Sequence, residues 1–144
     1  MTCDLCDTDG GQLLWHDERL RVVYVNERDY PGYCRVIWKQ HIKEMSDLAP
    51  TDRNHCMNMV FAVEAVLCEL MAPDKVNIAS FGNFTPHVHW HVIPRFRDDA
   101  HFPQSIWGER QRAGRGVAPQ DMPARIARAL AARLASAHST QVST

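Results

Sequence analysis

Between His87 and Pro94 the chain reads His-Val-His-Trp-His-Val-Ile-Pro, so three histidines alternate with bulky apolar residues. That is a period of two. On an extended strand it places His87, His89 and His91 on one face and Val88, Trp90 and Val92 on the other. One face can pack a core while the other presents titratable nitrogens to a cleft. Imidazole exchanges protons near neutral pH, and it attacks electrophiles when one nitrogen keeps its lone pair and the other is held as N–H. Three imidazoles buried without a task would carry unsatisfied nitrogens, which protein interiors avoid.

Geometry limits what the three rings can share. Positions i and i+4 lie about 13 Å apart along an extended strand, whereas ligands of one zinc lie about 3–4 Å from each other. Two of the histidines can share a metal; three cannot without a severe bend. The outer histidines are therefore expected to serve different centres. A catalytic metal on two of them would need further ligands, and no carboxylate in the strand or its preceding loop offers one. Catalysis by one histidine assisted by its neighbours is the reading that remains. Gly82-Asn83 supplies backbone N–H groups and an amide, Thr85 a hydroxyl, and Arg95 and Arg97 lie near the strand's end. Such donors suit a phosphoryl group, whose charge is stabilised by hydrogen bonds rather than by covalent help.

Length and composition set the frame. The chain has 144 residues, 45% of them hydrophobic, enough for a single core without disulfides. A net charge of -1 gives no electrostatic case for gripping duplex nucleic acid or an anionic membrane. No signal peptide is expected from the short acidic N-terminus, and no apolar run approaches the roughly 20 residues needed to span a bilayer. Cys34, Cys56 and Cys68 are read as reduced and buried, which predicts a cytoplasmic protein.

Strands are expected at Gln12 to His16, Leu20 to Val25, Tyr33 to Trp38, Lys75 to Phe81 and His87 to Phe96. A turn is expected at Asp29-Tyr30-Pro31-Gly32, a long helix from Thr51 to Met71, and a second helix from Asp121 to Leu134. Residues Arg97 to Ala118 read as irregular. The order predicts an α+β fold with an antiparallel sheet of about five strands. A single domain is expected over residues 1–138. It carries an N-terminal Cys-x-x-Cys knuckle at 1–10, a C-terminal extension at 98–138 and a flexible tail at 139–144.

The pattern His, apolar, His, apolar, His, two apolars resembles the signature of the histidine triad (HIT) superfamily, and the order of hairpin, helix and strands over roughly residues 1–97 resembles it too. The resemblance implies a nucleotide hydrolase or nucleotidyltransferase acting at an α-phosphate, on dinucleoside polyphosphates or nucleoside phosphoramidates. It assigns the nucleophile to His89, which forms a nucleotidyl-imidazole intermediate, and places His91 as a donor to the phosphoryl oxygens or leaving group. A carbonyl partner is expected to fix the tautomer of His89. Asn77 matches a position that contacts the ribose or supports the loop, Asn26 is a second ribose candidate, and Asn83 and Thr85 match phosphate-side positions. The loop Phe81-Gly82-Asn83-Phe84-Thr85-Pro86 is shorter than the family's glycine-rich loop and is stiffened by Pro86. A homodimer through the long helix and an edge strand is also implied.

Cys3-x-x-Cys6 alone fits redox chemistry, metal binding or accident. In relatives that carry such a pair, it joins a distant histidine and the first triad histidine around a structural zinc. Mapped here the set is Cys3, Cys6, His41 and His87, and no metal is needed for the chemical step. The competing reading is a nucleotide-binding or sensing module that uses the same pocket without turnover. Trp107 is read as closing over the nucleotide, supporting a dimer, or capping the domain's own surface. Arg110, Arg112 and Arg115 read as a solvated basic run within reach of a polyphosphate tail.

Overall fold

The structure, a computed structural model, describes residues 2–141. Five strands form one sheet in the order β1-β2-β3-β5-β4, with every neighbour antiparallel. They are β1 (Gln12–His16), β2 (Leu20–Tyr24), β3 (Cys34–Trp38), β4 (Lys75–Ala79) and β5 (His89–Arg95). Three helices accompany them: α1 (Asp4–Asp7), α2 (Pro50–Met71) and α3 (Met122–Gln141). The α+β reading and the five-stranded antiparallel sheet hold. The expected tail at 139–144 is helical to Gln141, and its last residues lie outside the described ones.

Helix α2 starts on Pro50 at a position where the missing N–H is no loss, and ends on Ala72 in the left-handed region at φ 46°, ahead of Pro73. Cys56, Met59, Val60, Val63, Val66 and Leu67 bury one stripe of it. That stripe packs on Val22, Val36, Trp38 and Val92 from the sheet, together with Ile126 and Leu130 of α3. Trp15 and Trp90 join this core as partly buried side chains. Both helices lie on one side of the sheet. The other side is closed only at its two ends, and the histidine face opens between them.

At the first end, Leu5 of α1 packs on Val23 and Ile37. Arg21 fastens it, donating from Nε to the Asp9 carbonyl at 2.9 Å and from Nη2 to the carbonyls of Leu5 at 2.6 Å and Thr8 at 3.0 Å. Gly10 sits here at φ 78°, where an added Cβ would approach Ile37 to 2.8 Å and Leu5 to 2.9 Å. At the second end, residues 98–112 fold back as an irregular strap, and Ile106 packs beside Tyr30, Tyr33 and Ile93. Arg95 and Asp99 form its knot, with side chains 3% and 2% exposed. Asp99 accepts from Arg95 Nε at 2.7 Å and Nη2 at 2.9 Å, and from the N–H groups of Phe96, His101 and Phe102.

Of the cysteines read as buried, Cys34 and Cys56 are, but Cys68 is exposed. It falls off the buried stripe of α2, on the solvent side of the helix. Among the described residues no helix is long and apolar enough to cross a membrane.

Burial alone would raise the Asp99 carboxyl, but the Arg95 and backbone donors outweigh it and hold it at about 2, below its ordinary 3.8. Its stabilising contribution is therefore complete above about pH 4 and is lost as pH falls toward about 2. Asp99→Asn is expected to destabilise the protein by about 3–5 kcal/mol at pH 7, because Arg95 is left buried without its counter-ion. Urea unfolding at pH 7 checks the magnitude. The same measurement below about pH 3 should show a smaller gap between the two proteins.

Candidate functional site

Strand β5 lies between β3 and β4, so its side chains have neighbours on both sides. Ile37 pairs with His89, Arg35 with His91, and Ala79 with His91. His89 and His91 point to the face away from α2, while Trp90 and Val92 join the helix-side core. His87 does not extend the strand as the alternation predicts: β5 begins at His89. The His87 N–H turns back to the Thr85 carbonyl at 2.8 Å, and the Val88 N–H goes to Ile42 O at 2.7 Å. The tight turn ending in Pro86 diverts these amides from the ladder.

Backbone carbonyls only accept, so each ring nitrogen facing one must carry a proton. His89 Nδ1 lies 2.6 Å from the His87 carbonyl oxygen and donates to it. This is the carbonyl that sequence could not name. The lone pair of neutral His89 is thereby placed on Nε2. His87 Nε2 donates to the Trp38 carbonyl at 2.6 Å, which leaves the Nδ1 lone pair of His87 on the opposite side of its ring. His91 Nδ1 is 2.6 Å from the Tyr33 hydroxyl.

Both remaining rings are held neutral. Burial lowers the affinity of His89 for a second proton, and the Arg35 charge acts in the same direction, against the carbonyl bond. Burial also lowers His91, with His89 and Arg35 adding to it, to about 3. The two rings stand edge to face with centroids 5.0 Å apart.

His87 belongs to a different centre. Its Nδ1 lies 3.5 Å from Cys3 Sγ, 3.5 Å from Cys6 Sγ and 3.2 Å from His41 Nδ1, and Cys6 Sγ lies 3.4 Å from His41 Nδ1. All four donor atoms fall within 4.8 Å of one another. Around a tetrahedral zinc, bonds of about 2.3 Å to sulfur and about 2.0–2.1 Å to nitrogen set S–N spacings near 3.5 Å and N–N spacings near 3.3 Å. The four residues fit that geometry, and the bond to Trp38 O aims the His87 lone pair toward it. Cys3, Cys6, His41 and His87 are thus a cluster able to hold a metal ion.

A cavity of about 390 Å³ opens on the triad face, lined by Arg35, Phe81, Gly82, Asn83, Phe84, Thr85, His89, His91 and Trp107. Four of the expected site residues meet here: His89, His91, Asn83 and Thr85. Asn77 does not line it; its Oδ1 accepts from Arg95 Nη1 at 2.7 Å in the strap's knot. Asn26 is exposed beyond the end of β2 and is also absent from the lining.

The expected cations are diverted too. Arg95 is tied to Asp99, and Arg97 stands near Asp74 on the surface. Arg110 pairs with Asp29, Arg112 donates to the carbonyls of Asp99 and Phe102, and Arg115 pairs with Asp98. That basic run fastens the strap. In place of these residues the cavity receives Arg35, which sequence alone does not single out. Its only signal was a charge inside an otherwise apolar strand. Trp107 comes from the strap to stand edge-on to Phe81 and His91, at centroid distances of 4.9 and 5.0 Å.

The HIT domain family profile matches residues 9–98. An asymmetrical bis(5'-nucleosyl)-tetraphosphatase of Schizosaccharomyces pombe is 25% identical over 108 residues, which cover 71% of this chain. The chain spans about three-fifths (59%) of that relative's length. Among solved structures, a histidine triad protein from Bradyrhizobium japonicum superposes with a TM-score of 0.71 at 24% identity, covering 86% of this chain and 90% of that one. One from Marinobacter aquaeolei gives 0.72 at 20% identity, covering 94% and 96%. A zinc-bound histidine triad family protein from Mycobacterium smegmatis gives 0.65 at 22% identity, covering 95% and 98%. At these identities the superpositions speak for the fold, and the profile match, which spans more than half of the chain, decides membership: the chain belongs to the HIT domain family.

Proposed function

We propose that the protein is a nucleotide hydrolase or nucleotidyltransferase that acts at an α-phosphate through a covalent nucleotidyl-His89 intermediate. The observation that carries this reading is the His89 Nδ1 bond to the His87 carbonyl, which leaves Nε2 unprotonated on a buried ring that lines an open cavity. Nε2 attacks phosphorus, the bond from phosphorus to the leaving group breaks, and the electron pair departs with that group, which then takes up a proton. Water next attacks the same phosphorus and releases a proton, which replaces the one taken up by the leaving group, while the P–N bond breaks and its electron pair returns to Nε2, restoring the neutral ring. His91, adjacent and neutral, donates to the phosphoryl oxygens or the leaving group. Asn83 and Thr85 add polar groups on the loop side of the cavity.

Dinucleoside polyphosphates and nucleoside phosphoramidates are the substrate classes we infer. The first is supported by the partial match to the tetraphosphatase. Both present a phosphoryl group whose substituent can leave from a neutral histidine attack.

We infer that Cys3, Cys6, His41 and His87 hold a structural zinc. When bound, it neutralises two thiolates and pins the N-terminal segment against the triad. The chemistry itself rests on His89 and His91.

Replacing His89 tests the reaction. His89→Asn is expected to lower kcat on a nucleoside phosphoramidate by at least about 10³-fold while the protein stays folded and still binds the nucleoside monophosphate. Full activity in that variant would contradict the assigned nucleophile. For the metal, elemental analysis of the purified protein is expected to find one zinc per chain, lost in the Cys3→Ser/Cys6→Ser double variant together with a lowered melting temperature. A metal-free protein of unchanged stability would contradict the zinc assignment.

A further inference from the structure

Arg35 lies in β3 opposite His91, on the triad face. Its Nη1 donates to the Gly10 carbonyl at 3.2 Å, and its guanidinium carbon stands 5.7 Å from the centre of the Tyr33 ring. Its Nε is buried and has no hydrogen-bond partner among the described residues. A buried guanidinium donor left unpaired is unfavourable unless something else accepts from it.

A second cavity, of about 350 Å³, lies on the other side of the nucleophile under the N-terminal segment, lined by Asp4, Leu5, Thr8, Gly10, Arg35, Thr85 and His89. Arg35, Thr85 and His89 line both this cavity and the aromatic-walled one. A group bonded to His89 therefore has both spaces beside it for its substituents. Among the described residues Arg35 is the sole lysine or arginine lining either cavity.

We propose that Arg35 binds the non-bridging oxygens of the phosphoryl group handled at His89, so that Arg35, Thr85 and His89 make up the phosphate subsite at the junction of the two cavities. The proposal rests on the nucleotide reading above. A planar guanidinium fork matches two oxygens of a phosphoryl group, and it is fixed in place by β3 before the substrate arrives. Charge in the transition state spreads over the three equatorial oxygens, where a preorganised cation is most effective.

Calorimetric titration separates a phosphate contact from a role in folding. AMP and adenosine, with GMP and guanosine as a second pair, are titrated to millimolar concentration into the parent protein, Arg35→Gln and Arg35→Lys. The parent is expected to bind the monophosphate more tightly than the nucleoside. Arg35→Gln is expected to weaken the monophosphate at least tenfold and the nucleoside by no more than about twofold, with Arg35→Lys falling between because it keeps charge but loses the fork. If Arg35→Gln does not fold, the selective loss is read from Arg35→Lys.

A monophosphate gain that survives in the substituted protein overturns the proposal and leaves the nucleotide reading standing. Equal weakening of monophosphate and nucleoside also overturns it, because it marks Arg35 as structural. A parent protein that binds neither monophosphate overturns both.

Discussion

Two backbone carbonyls decide what the histidines of this protein do. Trp38 O takes the Nε2 proton of His87, and His87 O takes the Nδ1 proton of His89. The first turns the His87 lone pair toward Cys3, Cys6 and His41; the second sets that of His89 on Nε2. The residue that contributes its ring to the cysteine cluster thus also orients the neighbouring ring through its own peptide group. A shift of His87 would disturb both, which couples the N-terminal segment to the cavity although the two centres share no side chain.

The sheet makes room for this by covering its faces unequally. Helices α2 and α3 cover one face, and the triad face is closed at its ends. Arg21 clamps the N-terminal turn at one end by three carbonyl bonds, and the Arg95–Asp99 pair knots the strap at the other. Both clamps put a buried cation against fixed acceptors, an arrangement that is costly to break and so holds its loop firmly. Between them the two neutral rings of His89 and His91 are withdrawn from bulk water yet line the cavity. Trp107 is carried to its place beside His91 by the strap, outside the segment matched by the family profile.

Much of this was legible in the chain. Alternation from His89 to Val92 marked the strand's two faces, although His87 leaves the strand, and β-branched runs such as Leu20 to Tyr24 marked the sheet. The apolar stripe of α2 gave the helix to within one residue of its start at Pro50. The Cys3, Cys6, His41 and His87 cluster was named from a resemblance, and the fold brings those four together. What escaped depended on pairing across the sheet or on backbone atoms. Arg35 reaches the cavity only because β3 pairs with β5 in a register that sets it opposite His91. The acceptor for His89 is a carbonyl, which leaves no trace in the residue alphabet. Arg95 and Asn77 looked available for a ligand until Asp99, four positions on, took the guanidinium and oriented it toward Asn77.

The chemistry turns on a neutral His89 with its proton on Nδ1 and its lone pair on Nε2. Long-range proton–nitrogen correlation NMR of the histidine rings, on protein labelled with nitrogen-15 and assigned by comparison with the His89→Asn variant, reads this directly. At pH 7 His89 is expected to show the Nδ1-protonated tautomer. An Nε2-protonated ring, or an imidazolium at that pH, would contradict it.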